Sequence, residues 1–307
     1  MTPAFAPGIE VVDPRFRSFV VANALLEPLV EGARWLEGPV WFADHRVLLV
    51  SDIPNDRILR ITEAAEVSVA RQPAGFANGH ARDREGRLVG CSHLHRSITR
   101  TELDGRITTL VERHRGKRLN APNDVVVKRD GTVWFTDPVY GIQNDYEGEK
   151  QAPELPPAAY RFDPSDGTLV VVADDFEGPN GLCFSPDESR LYVSETGDQF
   201  AAQPRRYLRV FDVAGDSAAP LRHGRIFHSV TPGYADGFRC DTEGNVWSSA
   251  GDGVHCIDAS GALLGKIVLP AAVSNLCFGG RLNSRLFLCA GSTLYALSVN
   301  RRGCVTP

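Results

Sequence analysis

Six oxygen-bearing side chains occupy matching positions in a pattern that the sequence repeats six times. Each begins a stretch made of a short polar element, an apolar run, a turn rich in Asp, Gly and Arg, and a second apolar run. These residues, here called the oxygen ring, are Glu37, Asn78, Asn123, Asn180, Asp236 and Asn275. If they converge, oxygen ligands without Cys or His favour one hard divalent cation: Ca²⁺, Mg²⁺ or Mn²⁺, with Zn²⁺ as an alternative because it also binds carboxylates.

A turn role is the alternative for some ring members, because Asn and Asp are common in turns. Asn275 and Asn78 fit that alternative best. Two carboxylates and several carboxamides at converging positions would otherwise repel one another or lack hydrogen-bond partners unless a cation or ordered water joined them. We therefore expect most of the ring to be functional.

A second set of ionisable residues stands where the second apolar run of a repeat ends. It contains His93, Asp137 and Glu195. If the two runs form a hairpin, the second run returns to the face where the first began, so we expect these residues to contact substrate beside the ring. Long insertions, residues 138–158 and 196–207, follow Asp137 and Glu195 and are expected to cover the same face.

The elements that must position these residues are strands. Both apolar runs of each repeat alternate with a period of two, and further strand-like runs follow each hairpin, giving about four strands per repeat. The repeats begin 39 to 57 residues apart, a spacing typical of propeller blades. We therefore predict an all-β fold, a six-bladed β-propeller with a metal site in its central channel.

The prediction treats residues 1–307 as a single propeller domain. Residues 1–33 precede the first hairpin and are expected to complete or flank a blade; the sequence leaves open which end of the chain closes the propeller. No long segment has helical periodicity, which argues against TIM-barrel and doubly wound folds. A double β-sandwich is the structural alternative, although it would not explain six repeats in phase.

Composition narrows the range of partners. The net charge of −5 and the pI near 5.9 argue against nucleic acid or an anionic membrane as a partner. The sequence shows no signal peptide and no apolar stretch long enough to span a bilayer. Its seven cysteines lack CxxC spacing, which favours buried free thiols and a cytoplasmic location. The oligomeric state is left open.

Several motifs carry a resemblance to a known family. EGPVW, NAPNDVVVKRDGTVWFTDPVYG, PNGLCFSPDESRLYVSE and DGFRCDTEGNVW resemble the SMP-30/gluconolactonase/luciferin-regenerating family, closest to its bacterial gluconolactonase branch, over roughly residues 30–300. The resemblance implies a six-bladed propeller with a divalent ion, often calcium, in the channel. It implies Glu37, Asn180 and Asp236 as metal ligands, with Asn123 as a further ligand or substrate contact.

The family's typical reaction, hydrolysis of a sugar lactone, makes this chain an expected carboxylic-ester hydrolase. The metal would polarise the lactone carbonyl, Asp236 would act as general base, and Glu37 would serve only as a ligand. Asn78 and Asn123 would bind substrate hydroxyls, with His93, Asp137 and Glu195 at the rim. No Gly-x-Ser-x-Gly motif offers a serine nucleophile.

One position departs from the family pattern. Well-described members carry an Arg two residues before the Asn of the PND motif, where it binds sugar hydroxyls, and this chain has Ala121 there. The substrate need not be glucono-1,5-lactone. Two other functions are alternatives: an esterase or phosphotriesterase of the same fold, and a non-catalytic propeller that binds calcium or acts as a scaffold.

Overall fold

The computed structural model describes residues 3–197, 202–215 and 219–304. The described chain begins with β1 (Gly8–Val11) and β2 (Glu27–Val30), with a 3₁₀ turn at Pro14–Ser18 between them. Blades one and two consist of β3 (Leu36–Phe42), β4 (Val47–Asp52), β5 (Arg57–Thr62), β6 (Val67–Arg71), β7 (Ala77–Arg82), β8 (Leu88–Ser92), β9 (Ser97–Thr101) and β10 (Ile107–Val111). A second 3₁₀ turn, Ile53–Asn55, joins β4 to β5.

A small hairpin, β11 (Arg113–His114) and β12 (Lys117–Arg118), leads into the second half of the molecule. Blades three and four consist of β13 (Val125–Val127), β14 (Val133–Asp137), β15 (Ala158–Asp163), β16 (Thr168–Ala173), β17 (Pro179–Phe184), β18 (Arg190–Glu195), β19 (Tyr207–Val213) and β20 (Leu221–Ser229). One helical turn, α1 (Tyr140–Gln143), lies between β14 and β15. Blades five and six contain β21 (Phe238–Cys240), β22 (Val246–Ala250), β23 (Gly253–Ile257), β24 (Leu263–Val268), β25 (Asn275–Gly279), β26 (Arg285–Ala290) and β27 (Thr293–Ser298).

The first strand of every blade lies innermost, and each inner strand contacts the inner strand of the next blade. The inner strand of blade six, β25, contacts that of blade one, β3, and so closes the circle. All strand pairs within the blades are antiparallel. The predicted all-β, six-bladed propeller is therefore confirmed.

The N-terminal strands both complete one blade and flank another. Strand β2 pairs with β27 as the outermost strand of blade six, with Glu27 opposite Ala296 and Glu27 Oε2 2.8 Å from Arg285 Nη2. Strand β1 pairs with β24 as a fifth strand of blade five. Blade six is thus held together by segments that are more than 250 residues apart in sequence.

The core lies between the faces of neighbouring blades, where large aromatic side chains meet. Trp134 of blade three contacts Phe184 of blade four edge-on at 5.3 Å between ring centroids, and Trp247 of blade five contacts Phe278 of blade six at 5.8 Å. Burying each such side chain contributes about 1.5–3 kcal/mol. All seven cysteines are unpaired and six are buried, as predicted. None of the helices in the described ranges is long and apolar enough to cross a membrane.

Glycine follows four of the six ring residues because the blades approach very closely there. At Gly237, which follows Asp236, an added Cβ would overlap the side-chain amide of Asn275 in the next blade. The backbone N–H of Gly237 also donates to the carbonyl of Ser274 at 2.7 Å. A larger residue must therefore displace the Asn275 side chain or push blades five and six apart at the ring.

Substitution of Gly237 tests this close contact. Gly237→Ala is expected to lower the free energy of unfolding by about 2 kcal/mol, since overpacking forces neighbouring groups to move. Denaturant unfolding followed by circular dichroism measures the change. Gly215→Ala is the matched control, because no atom of the described residues lies within 4 Å of a Cβ at Gly215. Equal stability of the two variants would show that the blades can separate at this point without cost.

Candidate active site

The oxygen ring lies at one end of the central channel, at or just before the start of each inner strand. Hydroxyl groups on the second strand of one blade fix the ring residue of the next blade by donating to its backbone carbonyl. Ser51 Oγ donates to Asn78 O at 2.9 Å, Thr136 Oγ1 to Asn180 O at 2.6 Å, and Ser194 Oγ to Asp236 O at 3.1 Å. The repeat therefore positions both the ring and the groups that hold it.

Asn275 uses both ends of its carboxamide within the protein. Its Nδ2 donates to Glu37 Oε2 at 2.9 Å, and its Oδ1 accepts from the N–H of Leu276 at 2.8 Å. Glu37 Oε2 also accepts from the N–H of Gly38 at 3.0 Å. No donor among the described residues reaches Glu37 Oε1, so this oxygen is available to a ligand while Asn275 orients the carboxylate.

Asn78 is oriented by His93. The imidazole Nδ1 lies 2.7 Å from the backbone carbonyl of Glu147, which can only accept, so Nδ1 carries the proton. Burial lowers the pKa of His93 to about 4, which leaves Nε2 unprotonated at neutral pH. Asn78 Nδ2, at 3.3 Å, therefore donates to Nε2, and Asn78 Oδ1 points elsewhere. His93 positions Asn78 from below and, being almost fully buried, does not form part of an exposed rim.

Asn180 and Asp236 form a linked pair. Asn180 is hydrogen-bonded to the Asp236 carboxylate, and Asn180 Nδ2 lies 3.4 Å from Thr196 Oγ1. The N–H of Asp236 donates to Ser249 Oγ at 2.8 Å. Because the amide nitrogen of Asn180 faces these acceptors, its Oδ1 is left for another partner. Asn123 has no side-chain hydrogen bond within the described part of the chain, although its backbone bonds to Thr136.

Buried negative charge accumulates at the ring. Burial raises the pKa of Glu37 to about 7, an effect opposed by the hydrogen bonds from Asn275 and Gly38 and reinforced by Asp124 and Glu147. Burial also raises the pKa of Asp236 well above its usual range, and the charges of Glu37, Glu147 and Asp124 raise it further. The carboxylates at this end of the channel thus destabilise one another's ionised forms.

An ion pair crosses the channel beneath the ring. Arg239 of blade five lies 3.4 Å from Asp124 Oδ2 of blade three, and these blades are not neighbours in the circle. A cavity of about 550 Å³ is lined in part by Arg239. Apolar residues line most of it, including Val40, Val126 and Phe278, and no ring residue does. The polar and apolar ends of the channel are therefore separate.

Asp137 and Glu195 do not form an exposed rim. Both are fully buried, and each accepts backbone N–H groups of the loop that enters its own blade. Asp137 Oδ2 accepts from Asn120 at 2.8 Å, and Glu195 accepts from Glu177, Gly178 and Gly197 at 2.8–2.9 Å. Both residues thus fix the loops that precede Asn123 and Asn180, while Asp137 Oδ1 has no hydrogen-bond partner among the described residues; their contact with substrate stays a prediction.

The insertion after Asp137 supplies site residues that the repeat analysis missed. Glu147 lies close enough to the ring for its charge to raise the pKa values of Glu37 and Asp236. Tyr140 donates to or accepts from Thr196 Oγ1 at 2.6 Å, so the two predicted covering segments meet. Residues 198–201 of the second segment lie outside the described ranges. The length of the first insertion was the one sequence signal for these residues.

The chemistry of the ring fits a cation held mainly by neutral and carboxylate oxygens. In the described part of the chain no group of three or more His, Cys, Asp or Glu side chains is arranged to hold a metal. Two carboxylates, Glu37 and Asp236, are nevertheless accompanied by three carboxamides whose oxygens have no donor among the described residues: Asn78, Asn123 and Asn180. Oxygen ligands of this kind bind Ca²⁺ in preference to softer metal ions.

Fold and ring together define the class: a six-bladed β-propeller whose channel ends in a buried, carboxylate-containing polar site. The sequence model of the SMP-30/gluconolactonase/LRE-like region matches residues 35–292, and this chain belongs to that family. A gluconolactonase of Zymomonas mobilis is 31% identical over 297 residues, covering 90% of this chain and 82% of the relative. A pentonolactonase of Haloferax volcanii is 27% identical, covering 80% and 77%. The solved structure of a gluconolactonase from Xanthomonas campestris superimposes with a TM-score of 0.89 at 39% identity, covering 97% of each chain.

Proposed function

We propose that this protein is a carboxylic-ester hydrolase that opens a sugar lactone to the corresponding aldonic acid. The observation that carries the proposal is the ring. Among the described residues no donor reaches Glu37 Oε1 or the side-chain oxygens of Asn123 and Asn180, and these oxygens accompany the Asp236 carboxylate, whose pKa is raised. Relatives named as a gluconolactonase, a lactonohydrolase and a pentonolactonase support the same reaction class.

The proposed cofactor is one divalent cation, Ca²⁺ in the first instance, held by Glu37, Asn123, Asn180 and Asp236. The donor set supports it, because a cation would offset the mutual repulsion of Glu37 and Asp236 and would lower their pKa values. When bound, the cation would act as a Lewis acid toward the lactone carbonyl.

Asp236 is the proposed general base. Its carboxylate accepts a proton from the water that attacks the lactone carbonyl carbon. It then returns a proton to the endocyclic oxygen of the lactone as the bond between that oxygen and the carbonyl carbon breaks. Asn180 holds this carboxylate by a hydrogen bond, and Glu37, oriented by Asn275, supplies a fixed negative charge. Asn78 Oδ1, turned away from His93, is placed to accept from a substrate hydroxyl.

The identity of the lactone depends on the groups around the ring. Ala121, fully buried, leaves the site without the Arg that the family resemblance would supply at that position. The hydroxyl groups of the substrate would therefore be bound by carboxamide and carboxylate groups, among them those of Asn78, Asn123 and Glu147. A neutral polyhydroxy lactone matches such acceptors.

A panel of aldono-lactones assayed in a pH-stat, with and without EDTA, tests the proposal. We expect hydrolysis of at least one lactone well above the spontaneous rate, and loss of that activity with EDTA. Turnover of aryl esters or phosphotriesters without lactone hydrolysis would favour the esterase alternative. Ca²⁺ binding without turnover of any of these substrates would favour a non-catalytic propeller.

A further inference from the structure

Glu147 differs from the other carboxylates near the ring because no residue neutralises it. Asp124 is paired with Arg239, and Glu37 and Asp236 are the two proposed ligand carboxylates. In the described ranges the Glu147 carboxylate has neither an ion-pair partner nor a hydrogen-bond donor. Its burial raises its pKa, as expected for a carboxylate held partly out of water.

The backbone of Glu147 is linked to Asn78 through the imidazole of His93. The Glu147 carbonyl accepts from His93 Nδ1 at 2.7 Å, and His93 Nε2 accepts from Asn78. Gly141 and Gly148 pack so tightly against one another and against His93 that a Cβ at either position would clash. Farther along, the N–H of Gln151 donates to Ile142 O at 3.0 Å. The segment therefore holds Glu147 in a defined place near the ring.

The two arginines of the second insertion, residues 196–207, are engaged with other residues. Arg205 lies 2.7 Å from Glu177 and 3.6 Å from Glu195, and Arg206 stacks over the ring of Tyr234 at 5.1 Å. With the two ligand carboxylates balanced by a divalent cation and Asp124 balanced by Arg239, one negative charge is left at the site. That charge belongs to Glu147.

We propose that Glu147 is a specificity-determining residue that selects neutral polyhydroxy lactones against lactones carrying a phosphate, sulfate or second carboxylate group. The inference rests on the proposed lactonase function. The carboxylate accepts hydrogen bonds from hydroxyl groups and repels an anionic substituent across a partly desolvated gap, where Coulomb interactions are stronger than in bulk water.

The experiment compares two lactones that differ by one charged group, D-glucono-1,5-lactone and its 6-phosphate. We would measure kcat/KM for both in a pH-stat, corrected for spontaneous opening, with the wild type, Glu147→Gln and Glu149→Gln. Glu149 is the matched control because it is an exposed carboxylate two residues away. Thermal melting followed by circular dichroism establishes that each variant is folded.

The wild type is expected to prefer the neutral lactone, and Glu147→Gln should shift the kcat/KM ratio about tenfold toward the phosphorylated lactone, with Glu149→Gln unchanged. Added NaCl should narrow the wild-type preference, because salt screens the repulsion. An unchanged ratio in folded Glu147→Gln, or a wild type that prefers the phosphate, overturns the inference while leaving the lactonase function intact. Absence of catalysis on both lactones and on the wider panel overturns the proposed function itself.

Discussion

Asp236→Asn is expected to reduce kcat for lactone hydrolysis by about 10³-fold, within the range that a positioned general base contributes. The carboxamide keeps the shape of the side chain and one oxygen ligand but cannot accept a proton from water. In the EDTA-treated protein the melting temperature should not fall, because the substitution removes like-charge repulsion with Glu37. Steady-state kinetics on the best lactone of the panel, with thermal melting of the EDTA-treated protein, measures both effects.

The matched control is the Asp104→Asn variant, because Asp104 is an exposed carboxylate on a turn remote from the channel. It should leave both kcat and the melting temperature unchanged. If folded Asp236→Asn retained wild-type kcat, Asp236 could not be the base. Glu37, the other ring carboxylate with a raised pKa, would then be the candidate to test.

Removal of the proposed cation is expected to reduce the rate of lactone hydrolysis by an equally large factor. Dialysis against EDTA should reduce hydrolysis to the spontaneous rate, and Ca²⁺ should restore it. Loss of the cation would leave Glu37 and Asp236 repelling one another, so the melting temperature should fall as well. Activity measurements and calorimetric titration of the EDTA-treated protein with Ca²⁺ measure the two consequences independently.

The Glu37→Gln variant distinguishes Ca²⁺ binding at the oxygen ring from weak Ca²⁺ binding at the protein surface. This variant should bind Ca²⁺ at least tenfold more weakly, because it loses a charged ligand while keeping the hydrogen bond from Asn275 to its carbonyl oxygen. Glu66→Gln, which changes an exposed carboxylate, should bind like the wild type. Full activity after EDTA treatment, with no calcium detected by elemental analysis, would exclude metal dependence.

The repeat pattern was sufficient to predict the propeller and the location of its polar site. Period-two alternation identified the strands, and equal phase in six repeats placed Glu37, Asn180 and Asp236 at one end of one channel. This works because equivalent positions in a circular array must converge. The N-terminal strands could not be assigned in the same way, since β1 and β2 have no counterpart in the repeat.

Other features depend on contacts that spacing does not encode. Asp137 and Glu195 occupy the strand ends where a rim was expected, yet both are buried, and backbone N–H groups of the adjoining loops bond to Asp137 Oδ2 and to Glu195. Asn275 shares the ring position, but its carboxamide is hydrogen-bonded to Glu37 and to the backbone of Leu276. Glu147 lies in an insertion without a repeat equivalent, so its place near the ring is visible only in three dimensions.

The ion pair between Asp124 and Arg239 has a consequence for the route by which substrate enters the site and product leaves it. The pair lies between the ring and the apolar cavity lined by Arg239, so we expect the product to leave at the ring end, where the substrate enters. Ring opening of a neutral lactone yields an acid that ionises at neutral pH. If Glu147 acts as proposed, it would repel this newly formed anion, so the reaction itself would weaken the binding of its product.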